Sequence, residues 1–263
     1  MFGFSITLLA ILSSSIYFGL DWPFTMHEVV IHYFPGIRDL LYSRNIDQIV
    51  WTLEIELKFY LIVAICIYWF KQYSTKVFVV PMLLFLFSVF FSFNNIGVNS
   101  IIFQRMISLI QGLSQYVTFM YIGVAFHYLY CGKISRKLAT ILIFILFIMF
   151  SIEFKMGPFR DVWILTWSYG IALITFLFAY SYPKFFTSNP VSNFFANVSY
   201  PLYVIHGIAG YVALRIMFEN NFSVLVSLVA VIVVALALSY LIHLFIELPT
   251  QKWGKNIAKT YFN

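Results

Sequence analysis

Three ionisable side chains fall inside one apolar run, Trp51-Thr52-Leu53-Glu54-Ile55-Glu56-Leu57-Lys58-Phe59-Tyr60-Leu61. Charge in such a run is costly and marks a place that uses it. On a helix Glu54 and Lys58 stand one turn apart in the favourable order, so each neutralises the other, and both lie near enough to the run's start to reach the outer surface. Glu56 stands about 200° round the helix from Glu54 and cannot share that lysine. It is expected to face the interior of a bundle and find another partner, or to hold a proton; the alternative is an interfacial carboxylate touching water. A second run, Asn197-Val198-Ser199-Tyr200-Pro201-Leu202-Tyr203-Val204-Ile205-His206-Gly207, puts Tyr203 and His206 three residues apart on one helical face. A phenol beside an imidazole equips a polar pocket for proton transfer; a lone histidine at that depth is otherwise a hydrogen-bonded packing residue. Arg215, towards the far end of the same run, is a partner for Glu56 or a side chain reaching outward to water.

The remaining titratable groups have plainer readings. His243 stands four residues before Glu247, a natural pair at a helix end, and Glu247 with Pro249 caps and stops the last apolar run. His27 and His32 are five apart, off a common helical face, and are read as loop histidines rather than metal ligands. Cys66 and Cys131 are too few for a disulfide framework.

The elements that position these groups follow from composition. The chain has 263 residues, of which 62% are hydrophobic and 10% charged, with a mean hydropathy of +0.90. A soluble domain carries about 25% charged residues, so a soluble enzyme, a disordered chain and a disulfide scaffold are all excluded. Runs such as Leu138 to Phe150 and Ser223 to Ile242 are continuous rather than alternating, which excludes a β-barrel. The expected fold is all-α: a polytopic transmembrane bundle over residues 1–263 as a single domain. About eight spans are expected, Phe2–Leu20, Val50–Phe70, Val77–Phe93, Met106–Tyr130, Leu138–Ile152, Val162–Tyr180, Val198–Phe218 and Ser223–Ile246.

Polar connectors carry turn signals at Asn94-Asn95-Ile96-Gly97, Met156-Gly157-Pro158 and Ser188-Asn189-Pro190. In the seventh span, Pro201 suits a first helical turn with Ser199 or Asn197 as its cap. The longest connector, Asp21 to Ile49, is rich in aromatic and aliphatic residues and is expected to be ordered, with a short interfacial helix over Ile37–Ser43. With eight spans, Lys71, Lys76, Lys133, Arg136, Lys137, Lys184, Lys252, Lys255 and Lys259 share one side and outnumber Arg38, Arg44, Arg105, Lys155 and Arg160 on the other, which puts both termini in the cytoplasm. The net charge of +6 is scattered over loops, so no nucleic-acid partner is expected. Nothing positive precedes the first span, and it lacks the basic flank of a signal peptide.

Taken together these residues resemble the integral-membrane acyltransferase 3 family, whose members include bacterial O-antigen and other polysaccharide O-acetyltransferases. The family's Trp-Ser/Thr-Leu, two residues, Glu, two residues, Phe-Tyr-Leu block stands here as Trp51, Thr52, Leu53, Glu56, Phe59, Tyr60 and Leu61. Its Ser-Tyr, small or polar residue, Leu-Tyr, two residues, His block stands as Ser199, Tyr200, Pro201, Leu202, Tyr203 and His206. A Glu-x-Pro closing the last span is matched by Glu247 and Pro249, and Tyr116–Tyr130 with Gly123 is similar to the family's aromatic middle helix.

The resemblance implies transfer of an acetyl or other acyl group from cytoplasmic acyl-CoA to a sugar hydroxyl of a cell-surface polysaccharide, in the inner membrane of a bacterium and without a metal. A weakly acidic hydroxyl needs a positioned base, commonly histidine, and the tetrahedral oxyanion needs donors. Glu56 and His206 are the implied catalytic residues, and Trp51, Tyr60, Ser199, Tyr203 and Arg215 the implied substrate contacts. Membrane lipid and a glycan or lipid-linked sugar are the implied partners. The chain departs from the family at its start: members typically have ten spans, and their first helices carry an arginine and the base histidine, none of which is present here. His27 and His32 do not correspond to that histidine. The chain is therefore expected to start about two spans late and to be weak or inactive by itself. The alternatives are a non-catalytic subunit that binds acyl groups or glycan, and a transporter of lipid-linked sugars, the latter weakened by the lack of an internal repeat and of paired broken helices.

Overall fold

The structure is a computed structural model that describes residues 2–34, 38, 41, 44, 46, 49–94, 101–157 and 160–262. In chain order the helices are α1 (Phe2–Phe18), α2 (Met26–His32), α3 (Val50–Ile65), α4 (Ile67–Lys71), α5 (Val79–Asn94), α6 (Ile101–Tyr130), α7 (Arg136–Met156), α8 (Thr166–Ser181), α9 (Pro190–Ile205), α10 (Ile208–Glu219), α11 (Val224–Ile242) and α12 (Leu248–Phe262). A π-helical turn over His243–Glu247 joins the last two. The described residues contain no strand.

Among the described residues five stretches are long and apolar enough to cross a membrane: Thr75–Phe93, Ile101–Tyr130, Arg136–Met156, Asp161–Ser181 and Val224–Ile257. The pair α9 and α10, bent by 74°, makes a sixth if counted as one span. Helices are the economical answer in such a chain, because each backbone N–H finds its carbonyl within the segment. The hydroxyls inside them are satisfied the same way: Ser92, Ser151, Thr175 and Ser239 each donate to the carbonyl one turn back, at 2.7–3.0 Å. The expected second span is interrupted, because Cys66 leaves helical geometry (φ −93°, ψ 14°) and separates α3 from α4.

The described residues divide into two compact units, Met1–Thr52 with Phe186–Asn263, and Leu53–Phe185. In the second unit α6 and α7 pack along their length and α5 packs on α6. Their core holds Val77, Phe78, Val117, Tyr121, Ala125, Tyr128 and Leu146, all buried. Tyr121 is the hub, with the rings of Phe59, Phe78 and Phe70 at centroid distances of 5.8, 5.9 and 6.3 Å. Helix α7 starts where the Ser135 side chain accepts from the Leu138 N–H and ends at Gly157, whose N–H donates to the Glu153 carbonyl at 2.8 Å.

In the first unit α1 packs on α9 and α10, and α11 packs on both of these. Helix α9 begins earlier than the residue pattern suggests. Asn189 and Ser192 form a reciprocal capping box and Pro190 takes the first turn, so Pro201 lies inside the helix instead of at its start, and Ser199 is no cap. Its hydroxyl donates back to the Ala196 carbonyl at 2.8 Å. The stronger start signal wins, and Pro201 leaves only the Asn197 carbonyl without its helical partner. The expected continuous seventh span is then broken at His206–Gly207. At Gly207 a Cβ would stand 2.5 Å from Ile49 Cδ1, the mobile end of a side chain that would have to shift. Nor does Pro249 stop the last helix. The Leu248 N–H reaches five residues back to the His243 carbonyl, and the helix runs on from this wider turn through Pro249. His243 and Glu247 do pair, at 2.9 Å, within that turn.

Part of the long connector is held by hydrogen bonds around Glu28. The Thr25 side chain accepts from the Glu28 N–H and the Glu28 carboxylate accepts from the Thr25 N–H, a capping box that starts α2. Arg44 grips the same carboxylate through Nε and Nη2 at 2.6 and 3.1 Å and donates also to the Pro23 carbonyl. The short helix expected over Ile37–Ser43 lies for the most part outside the described residues, as does the turn expected at Asn94–Gly97. The Arg44 guanidinium, helped by the Thr25 N–H, holds the Glu28 carboxyl down at about 2, below its ordinary 4.5. A depressed carboxylate lends its stabilisation above the unfolded value and loses it as pH falls through the folded one. The Thr25–Glu28–Arg44 contact is thus expected to persist at pH 4 and to open only as pH approaches 2. Carboxyl NMR of Glu28 checks this: its midpoint should lie near 2 in the parent and rise toward 4.5 in Arg44→Ala.

Candidate functional site

Thr52 on α3 and Tyr203 on α9, separated by 151 residues, meet through Thr52 Oγ1 and Tyr203 Oη at 3.0 Å. The direction of that bond follows from the neighbouring one. Thr52 gives its only hydroxyl proton to the Ile49 carbonyl at 2.9 Å, so Tyr203 donates and Thr52 accepts. One turn on from Leu202, the His206 ring lies with Nδ1 2.8 Å from the Leu202 carbonyl. A carbonyl only accepts, so Nδ1 is the donor in this contact, and Nε2 is left out of it. Tyr203 and His206 have ring centroids 6.1 Å apart. The break after His206 ends α9 at this imidazole.

Ser199, Tyr203 and His206 all line one cavity of about 1030 Å³ in the first unit. Its other walls are largely aliphatic, from α10 (Leu214, Met217) and α11 (Val231, Ala235, Leu238). The Ser199 hydroxyl, having donated to Ala196, presents oxygen lone pairs only. The arrangement therefore offers the ring nitrogen Nε2, a phenol and a hydroxyl acceptor in an apolar setting, where such groups act strongly.

The other expected site residues fall elsewhere. In the second unit Glu56 is half-buried and accepts a 2.6 Å hydrogen bond from the Tyr60 hydroxyl, one turn along the same helix. Glu54, expected to reach towards water, is instead the fully buried carboxylate, with 0% of its surface exposed. Two groups about 200° apart on one helix cannot both face inwards, and the structure buries the opposite one from that expected. Arg215 is exposed and lies over the Phe18 ring at 4.0 Å, a cation–π contact. Arg215 does not line the cavity. Trp51 is half-buried beside Thr52. Among the described residues no three His, Cys, Asp or Glu side chains are grouped as a metal centre. The sequence reading did not single out Thr52 as the partner of Tyr203, the Leu202 carbonyl that holds His206 Nδ1, or Gly207 at the break.

Comparison with protein-family models, with curated proteins and with solved structures finds no match to this chain.

The Thr52–Tyr203 bond is expected to contribute about 1 kcal/mol, the usual net value of one neutral hydrogen bond. A cycle of Thr52→Val, Tyr203→Phe and the double variant measures it. Unfolding in mixed micelles should give a coupling energy of that size, and strict additivity would show that the two hydroxyls do not meet.

Proposed function

We propose that the chain is a membrane O-acyltransferase that moves an acetyl or other acyl group from cytoplasmic acyl-CoA to a sugar hydroxyl of a cell-surface polysaccharide such as O-antigen. The observation that supports this best is the Thr52–Tyr203 hydrogen bond, because it joins the two sequence blocks on which the acyltransferase 3 resemblance rests. The contact of His206 Nδ1 with the Leu202 carbonyl supports it further, since it leaves Nε2 out. In this reading Nε2 takes the proton of the sugar hydroxyl, the freed oxygen forms its bond to the acyl carbon, and the carbon–sulfur bond of the thioester breaks. The departing CoA thiolate takes the proton. Tyr203, whose hydroxyl can turn from Thr52 towards a developing oxyanion, is the donor. Ser199 and Trp51 contact the substrate, and Glu56 with Tyr60 forms a second polar pair that contributes to binding or orientation.

The same reading carries about eight spans, both termini in the cytoplasm, and a place in the bacterial inner membrane. Here α1, α3 with α4, and α9 with α10 each count as a span. Glu56→Gln in the source cell's protein tests the carboxylate: reduced transfer of label from acetyl-CoA is expected, and unchanged acetylation would remove Glu56 from the mechanism. A transporter of lipid-linked sugars is the second reading. It is favoured by the 74° break at His206–Gly207, because broken helices expose backbone groups where transporters bind their substrates. Movement of the sugar without acylation would support it instead.

A further inference from the structure

The second unit holds a polar cluster outside the site described above. Ser114, Gln115 and Thr118 lie midway along α6 and are fully buried, and Glu153, in the last turn of α7, is 1% exposed. Ser114 and Thr118 are one helical turn apart and share a face. The Ser114 hydroxyl donates to Glu153 Oε1. Glu153 Oε2 and both amide atoms of Gln115 have no hydrogen-bond partner among the described residues, and the Thr118 hydroxyl stands beside the Glu153 carboxylate. Buried polar atoms are ordinarily paired, and two orphan oxygens, Glu153 Oε2 and Gln115 Oε1, on adjoining side chains ask for a common ligand.

The sign of that ligand's charge follows from what surrounds it. Glu153 sits at the C-terminal end of α7, where the peptide dipoles add negative potential. The Gln115 amide oxygen stands beside the same helix end. A Cβ on Gly157 would lie 3.9 Å from Gln115 Oε1 and 2.7 Å from the Glu153 carbonyl oxygen. Lys155, two residues on, is exposed and points about 200° away round the helix. Carboxylate, amide oxygen, two hydroxyls and a helix end thus gather at one place, and no ion pair is found at Glu153 itself among the side chains the structure describes.

We propose that Ser114, Gln115, Thr118 and Glu153 bind a sodium ion through their side-chain oxygens, the Gln115 amide nitrogen taking no part. The four oxygens are the set a hard cation takes, with no sulfur or imidazole to suit zinc or copper. One carboxylate and one monovalent ion make a neutral buried site, whereas a divalent ion would leave net charge in an apolar interior. A proton would neutralise Glu153 but reach a single acceptor and leave the others unmet. The site is separate from His206 and Tyr203 and does not depend on the acyltransferase reading.

The test is the melting temperature of the full-length protein in nanodiscs, in sodium chloride against choline chloride at equal ionic strength. Sodium is expected to raise the melting temperature with a saturable concentration dependence, as a ligand of the native state must. Ser114→Ala should shift half-saturation to severalfold higher sodium, and Glu153→Gln should abolish the response. Equal melting temperatures in the two salts would overturn the proposal and leave a protonated carboxyl. A sodium response unchanged in Ser114→Ala would overturn it too, and that comparison stands even if Glu153→Gln fails to fold.

Discussion

Replacing His206 with asparagine is expected to lower acyl transfer by about 10²–10⁴-fold, the range that a positioned general base supplies. Asparagine is the informative substitution because its amide nitrogen can occupy the place of Nδ1 and keep the donation to the Leu202 carbonyl, found at 2.8 Å in the native protein. What it removes is the acceptor at Nε2. His206 is exposed, at the end of α9, so its replacement opens no cavity in the core. A drop confined to kcat, with the variant folded and inserted as before, is the expected result from membranes that carry acetyl-CoA and acceptor. Activity within a factor of two of the parent would show that the imidazole takes no proton. The Thr52–Tyr203 contact gives a useful comparison. It should affect stability by about 1 kcal/mol, well short of the loss at His206.

The largest expected effect on stability is at Phe150, through loss of packing. Its ring is fully buried and stands against Phe119 and Tyr169 at 4.9 Å, Phe154 at 5.6 Å and Phe147 at 6.2 Å. These rings come from α6, α7 and the start of α8, so Phe150 ties three helices of the second unit together. In a membrane the alternative surroundings of a side chain are themselves apolar, and helix association rests on close packing rather than on escape from water. Removing the ring forfeits that packing and leaves a cavity that rigid helices fill poorly. Phe150→Ala is expected to cost about 3 kcal/mol, at the lower end of the range for buried aromatics. Phe144, on the same helix but 65% exposed, is the control. Phe144→Ala should cost under about 0.5 kcal/mol, as for surface positions. Equal losses in the two variants, measured by unfolding in mixed micelles, would contradict the packing account.

The helices with continuous apolar runs were the legible part of the fold. The run expected as Met106–Tyr130 is found as Ile101–Tyr130, and Leu138–Ile152 extends into both flanks to give Arg136–Met156. Hydropathy reports such segments because nothing inside them competes with helix. Places where two local signals compete were less legible. Pro201 looked like a helix start until the Asn189–Ser192 box, twelve residues upstream of it by the earlier partner, took that role. Pro249 looked like a stop, but a π-helical turn accommodates it. Neither outcome can be read from the proline alone, since each depends on neighbouring carbonyls.

The site divides in the same way. Tyr203 and His206 could be paired from their spacing because three residues on a helix is a contact. The Tyr60–Glu56 bond has an equally local origin. Thr52 and Tyr203 meet across 151 residues, and no periodicity encodes that contact. The inversion of Glu54 and Glu56 has the same cause: spacing puts them on opposite faces, but only packing chooses which face is buried. Glu153 escaped notice because it stands one residue past the expected end of its span, although a buried carboxylate with serine and threonine one turn apart on a neighbouring helix is a recognisable pattern once the pair of helices is known.

The central claim is that this protein transfers an acyl group. Membranes from the source cell, incubated with acetyl-CoA labelled in the acetyl group, test it most directly when compared with membranes from which the protein has been deleted. The account predicts alkali-labile label on the cell-surface polysaccharide that disappears on deletion and is not restored by His206→Asn. Equal labelling with and without the protein would contradict it, and a deletion that stops movement of the lipid-linked sugar while labelling persists would assign the chain to transport.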